Sequence, residues 1–193
     1  MSIFGKKVSC EVLFTPFSSK IRKTPQPDRS QKEISRQLKE ALESVIIIDK
    51  YPKAQIDVYI SVIEIGGSLL STCLTAAGLA LCHASIDVYD LVVGADLIWK
   101  EGIAFVSPTL HEEECLKVMR LEGKIGEGSL SLGMMPQFAK SQIVLMVQEG
   151  DLLVDNLTEG ISLAINSCQR IYKLAKQTLL NHVETAIEEE KDS

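Results

Sequence analysis

The sequence predicts one mixed α/β (α+β) domain, on three observations. Residues 7–14 and 54–64 alternate apolar and polar side chains with the two-residue period of a half-buried strand. Residues 34–46 and 161–183 place apolar side chains at helical spacing. Strand-like segments in the second half are joined by turns too short for crossover helices, so the sheet cannot be purely parallel. A chain of 193 residues fits a single domain. We place it at residues 1–187, followed by an acidic, disordered tail at 188–193.

In chain order, Val8, Cys10, Val12 and Phe14 alternate with Ser9, Glu11 and Leu13 in the first strand. Pro16, Pro25 and Pro27 mark the loop from Thr15 to Arg29. Ser30 followed by Glu33 reads as a capping box opening a helix whose apolar face holds Ile34, Leu38, Ala41, Leu42, Val45 and Ile46. In the second strand Ile56, Val58 and Ile60 share one face. Gly66-Gly67-Ser68 turns the chain, with Ser68 as the expected cap of a helix over 69–83. That helix is apolar on nearly every side, which predicts a central, buried position. Residues 89–99 and 103–106 follow as strands, and 109–120 as a charged loop or short helix. Residues 129–135 and 142–147 form a strand pair meeting around 136–141. A long amphipathic helix runs from about Thr158.

Composition narrows the function. Hydrophobic residues make up 46% and charged residues 24%, the mix of a chain with a sizeable core and not of a disordered one. A net charge of -6 argues against coating nucleic acid with the whole surface, while leaving room for a local basic patch. No apolar run approaches the ~18 residues of a membrane span, and the first seven residues do not make a signal peptide. The five cysteines, Cys10, Cys73, Cys82, Cys115 and Cys168, are odd in number and widely spaced. Reduced thiols in an intracellular protein are therefore expected, with no disulfide framework and no zinc site.

Few motifs carry chemistry. Gly66-Gly67-Ser68 before a helix could present N–H groups to a phosphate, but a turn and cap needs the same residues, and Leu69 and Leu70 stand where a cation would help. Lys20, Arg22, Lys23, Arg29, Lys32 and Arg36 form a basic stretch in an acidic chain. It reads either as a solvated loop or as an RNA-backbone contact that gains by counterion release. Only Phe14 and Phe17 lie near it, so base stacking has little support. His111 to Cys115 lacks the second histidine of a metalloprotease motif and reads as a solvated acidic segment. His83 and His182 have no nucleophile near them in sequence and read as structural. Glu127 is a single carboxylate and cannot by itself hold a divalent ion against a phosphate. No cofactor or metal is expected.

Several segments together resemble the RNase PH family. Lys50 to Asp57 is similar to that family's "basic-x-P-R-x-Q-I-D" strand, and Glu64 to Ser71 to its "D-G-G-T-R" turn. Leu74 to Ala84 is similar to its "I-T-A-A-x-L-A-L-A-D-A" helix, Tyr89 to Gly94 to "R-D-L-V-V-G", and Cys168 to Ile171 to "G-C-x-R-I". Order and spacing agree from about Val8 to Leu180. The resemblance implies an RNase PH-like (ribosomal protein S5 domain 2-like) mixed sheet packed with helices. It implies a subunit of the six-membered ring of the RNA exosome, supporting 3′-to-5′ RNA processing and decay. Its partners would be other RNase PH-like ring subunits, cap subunits and RNA in the ring channel, in nucleus, nucleolus and cytoplasm.

Departures from the family pattern point away from catalysis. Active members hold phosphate through a threonine-arginine pair after the two glycines, where Ser68-Leu69 stands here. Matching Gly133 to Pro136 with the family's "G-x-A-D-M-P" puts Met134 at an aspartate position, with the other catalytic aspartate near Gly128. A thioether and a hydrogen neither bind Mg²⁺ nor pass a proton. The family's first strands precede the point where this sequence starts, so an N-terminally shortened version of the fold is expected. Lys20, Arg22, Lys23 and Arg29 fall in the loop that resembles the family's RNA-facing loop and are the expected RNA contacts.

Overall fold

The computed structural model describes residues 8–19, 22, 26, 28–121 and 126–191. Strand β1 (Val8–Phe14) is followed by helix α1 (Arg29–Val45), strand β2 (Ile56–Val62) and helix α2 (Leu69–His83). Strands β3 (Val93–Lys100) and β4 (Ile103–Val106), helix α3 (Leu110–Leu121), strands β5 (Gly128–Met135) and β6 (Gln142–Gly150), and helix α4 (Val154–Lys191) complete the order.

The strands form two sheets, each of one kind. β1 and β2 pair in parallel, with Val8 opposite Ile56 and Phe14 opposite Val62. β4, β3, β5 and β6 form an antiparallel sheet in that spatial order. The alternation in β1 and β2 has the expected cause: Val8, Cys10, Val12 and Phe14 are buried, while Asp57, Tyr59 and Ser61 are exposed. Val12 N–H, which the ladder does not use, donates to the Ser35 hydroxyl at 3.0 Å, so α1 caps part of the outer edge of β1.

Two cores lie on opposite sides of the larger sheet. The first joins β1, α1 and α2 through Val12, Leu38, Leu42, Leu74 and Leu81. The second joins β3, β5 and α4 through Leu97, Trp99, Leu130, Met134, Ala164 and Cys168. β3 is therefore covered on both faces and reads as a near-continuous apolar run. Glycines permit the close layers: a side chain at Gly94 would strike the Ser71 backbone, and one at Gly160 would overlap the Trp99 ring.

Several expectations need correction. Asp28, not Ser30, caps α1: its carboxylate accepts from the Arg29 N–H at 2.6 Å, and the Gln31 amide oxygen accepts from the Asp28 N–H at 3.2 Å. The aspartate precedes the first helical residue, where the orphan N–H groups begin. The segment expected as a charged loop or short helix is the helix α3, with its own capping box: Thr109 donates its N–H and hydroxyl to the Glu112 carboxylate at 2.7 and 2.8 Å. α2 is buried on one side only, since Thr72, Ala76 and Ala80 line an exposed stripe. α4 runs from Val154 to Lys191, starting earlier than the expected Thr158. Extending an existing helix adds one hydrogen bond per residue ordered, which favours the longer form. No helix among the described residues is long and apolar enough to cross a membrane.

Candidate functional site

The Gly66–Ser68 turn opens a cleft of about 500 Å³ at the head of α2. Ser71, Thr72 and Thr75 line one wall, and Ser107 to Thr109 line the other. Gly67 has φ 113°, and any side chain there would run into the Pro108 and Thr109 backbone, so the turn and the segment before α3 can approach only through a glycine. Gly66 carbonyl accepts from the Leu110 N–H at 2.7 Å, which fixes the two walls to each other.

Ser68 does not cap α2 as expected. Its φ is 51° and its hydroxyl turns away to donate to the Pro108 carbonyl at 3.2 Å. The Ser68 N–H, at the entrance of α2, instead donates to Glu113 Oε1 at 2.7 Å. A carboxylate from α3 therefore occupies the position at which a helix N-terminus would otherwise receive an external anion. Burial pushes the Glu113 carboxyl up, and the Ser68 N–H partly offsets this by favouring the charged form.

A second carboxylate lies beneath. Asp96 is 6% exposed and accepts from the Ser71 hydroxyl at 2.8 Å. Its other oxygen is buried without a partner at hydrogen-bonding geometry, although the hydroxyl of Ser131, opposite it in the ladder, favours the ionised form. Burial is the larger influence and raises the Asp96 carboxyl above its usual range. The Thr75 hydroxyl completes the floor by accepting from the Gly94 N–H at 3.0 Å. The cleft is thus walled with hydroxyls, with Glu113 and Asp96 bonded behind Ser68 and Ser71, and among the described residues no lysine or arginine lines it. Asp96 was not singled out in the sequence. Its signal was a lone carboxylate inside the apolar strand 92–99.

Of the expected RNA contacts, only Arg22 and Arg29 lie among the described residues, and neither lines the cleft. Arg22 and Arg29 are exposed, and Lys20 and Lys23 lie outside the described residues. The loop that carries them leaves β1 beside the cleft's entry turn: the Ile65 N–H donates to the Ser18 carbonyl at 3.0 Å. Arg36, also in the basic stretch, is engaged by Glu33 at 2.7 Å and Glu40 at 2.6 Å. Leu69 packs against the first core. Met134 needs correction as an aspartate equivalent: it is wholly buried in the second core, on the α4 side, and no side chain at 134 would face the cleft. The β5 positions that face α2 include Ser131 and Gly133. Glu127 precedes Gly128, which pairs with Trp99, five residues along β3 from Gly94. At about 3.3 Å per residue that is roughly 16 Å away.

A larger groove, about 630 Å³, runs between the β5–β6 connection and α4. Gln137, Tyr172, Lys173, Lys176 and Gln177 line it, so exposed cations collect on this face of α4. Asp90 holds its shape by accepting from the Gln137 N–H at 2.7 Å and the Tyr172 hydroxyl at 3.2 Å.

Residues 2–87 match the model of the "3' exoribonuclease family, domain 1". The chain belongs to this RNase PH family. It is 35% identical over 175 residues to exosome complex component Rrp41 of Pyrobaculum arsenaticum, covering 90% of this chain and 66% of that protein. It is 34% identical over 174 residues to human exosome complex component MTR3, covering 90% of this chain and 61% of that protein. The chain therefore spans somewhat less than two thirds of the length of these relatives. Rice Rrp46 superposes with a TM-score of 0.72 at 21% identity, over 92% of this chain and 77% of that one. A chain of the Archaeoglobus fulgidus exosome with RNA bound to its active site superposes with a TM-score of 0.65 at 16% identity, over 86% and 69%.

Proposed function

We propose that this chain is a non-catalytic ring subunit of an exosome, of the MTR3 type, which helps to hold other subunits and RNA during 3′-to-5′ processing and decay. One observation carries the reading: Glu113 accepts from the N–H at the head of α2, Asp96 lies behind Ser71, and among the described residues no guanidinium or ammonium lines the cleft. An attacking phosphate would meet two carboxylates instead of a cation, and like charges in a half-buried site repel strongly. Likeness to Rrp41 and MTR3 supports the assembly, and ring and cap subunits are the partners it suggests. Nuclear, nucleolar and cytoplasmic residence belongs to the same reading.

The RNA contacts proposed are Lys20, Arg22, Lys23 and Arg29. Their loop starts at the end of β1 next to the cleft, and Arg22 and Arg29 are exposed. The rival reading is a phosphate-dependent 3′-5′ exoribonuclease. It would need Glu127 in the site, about 16 Å from the Gly94 floor by strand length.

Co-expression with candidate ring subunits tests the proposal. Stable incorporation at one copy per ring is the expected result. A chain that folds yet fails to co-purify with any ring subunit would identify a non-assembling form and remove the proposal.

A further inference from the structure

His83 and His182 meet on the outside of the molecule, where the end of α2 reaches α4. Their Nε2 atoms are 3.2 Å apart, the ring centroids are 4.7 Å apart and the ring planes cross at 79°. Both side chains are exposed. Neither ring takes part in the cleft or in the proposed RNA contacts.

The spacing fits a shared ion. Two imidazole nitrogens at about 2.0–2.1 Å from one tetrahedral metal lie roughly 3.3 Å apart. A head-on N–H···N hydrogen bond, with both ring axes along the line joining the nitrogens, would instead put the centroids roughly 5.5 Å apart. The observed 4.7 Å means that at least one ring axis is tilted away from that line, as it is when both lone pairs aim at a common point beside it.

Both helices pack on the body of the molecule close by: Leu81 of α2 is buried in the first core, and Leu179 of α4, three residues before His182, packs against the second. His83 is also the last residue of α2, where the partial negative charge of the helix end favours a cation. We propose that His83 and His182 form a two-imidazole chelate for a divalent transition ion of the zinc, nickel or copper class, clasping the end of α2 to α4. Both rings would be in the Nδ1–H tautomer, leaving each Nε2 lone pair for the metal. No group of three or more histidine, cysteine or carboxylate ligands occurs among the described residues, so water or a neighbouring molecule would fill the remaining positions.

The test is thermal melting and titration calorimetry of the untagged chain with Zn²⁺ and Ni²⁺. Wild type should bind one ion and melt a few degrees higher at an ion concentration tenfold above Kd, with reversal by a chelator. His83→Gln and His182→Gln should each lose the shift while melting like wild type without metal, because both side chains are exposed. Cys115→Ser is the control, since His111 and Cys115 approach to 3.9 Å on α3 and could bind ions themselves. It should keep the shift. Absence of a shift in wild type, its survival in His182→Gln, or its loss in Cys115→Ser would each overturn the assignment.

Discussion

At Asp96 a carboxylate is buried between α2 and β5, with one oxygen held by Ser71 and the other unpartnered. Burial raises its pKa in the folded chain, so over a range above the ordinary value the folded state keeps a proton that the unfolded state has lost. For such a group the stability contribution is complete below the unfolded pKa and is lost as pH rises through the folded pKa. Asp96→Asn keeps an acceptor for Ser71 and cannot ionise. It should therefore be more stable than wild type at pH 7–8, with the advantage shrinking on acidification, as denaturant melts across pH would show. The thiols follow the same physics. Burial pushes Cys10 and Cys73 up to about 11 and Cys168 up to about 12. A thiol reagent at pH 8 should spare these three until the chain unfolds, and label the less buried Cys82 and Cys115 first.

Element by element, the sequence showed most clearly what depends on periodicity. β1, β2, α1 and α2 lie where alternation and helical spacing put them, because each buries one face against a single layer. Helix starts were less legible than helix faces. Asp28 caps α1 from within a proline-rich loop, two residues before the expected Ser30, and α3 is helical through a Thr109–Glu112 capping box rather than a strong apolar face. Asp28→Ala should cost about 0.5–2 kcal/mol of stability. The cleft was only half legible. The glycine turn was plain, but the filling of its anion position depends on Glu113, 45 residues beyond Ser68. The Met134 alignment failed because a motif match does not say which side of a strand faces the site. At the α4–sheet contact, Gly160 lets the helix lie on the Trp99 indole. Gly160→Ala should destabilise by about 1–3 kcal/mol through overpacking, read as a lower denaturant midpoint with an unchanged slope.

For the whole molecule, a net charge of -6 sits beside a basic loop and the Lys173–Lys176 face, so any hold on RNA is local. Changing Lys20, Arg22, Lys23 and Arg29 to alanine in the assembled ring should weaken RNA binding and flatten its salt dependence. An unchanged slope of affinity against salt would remove the loop from the RNA path. The central claim concerns the cleft at the head of α2, and phosphate-dependent release of nucleoside diphosphates from a 3′-tailed RNA tests it most directly. The account predicts no release above background by the purified chain, and none attributable to it within a ring. Phosphate-dependent release by the purified chain alone would contradict it, because Glu113 and Asp96 would then have to yield to an anion they should repel.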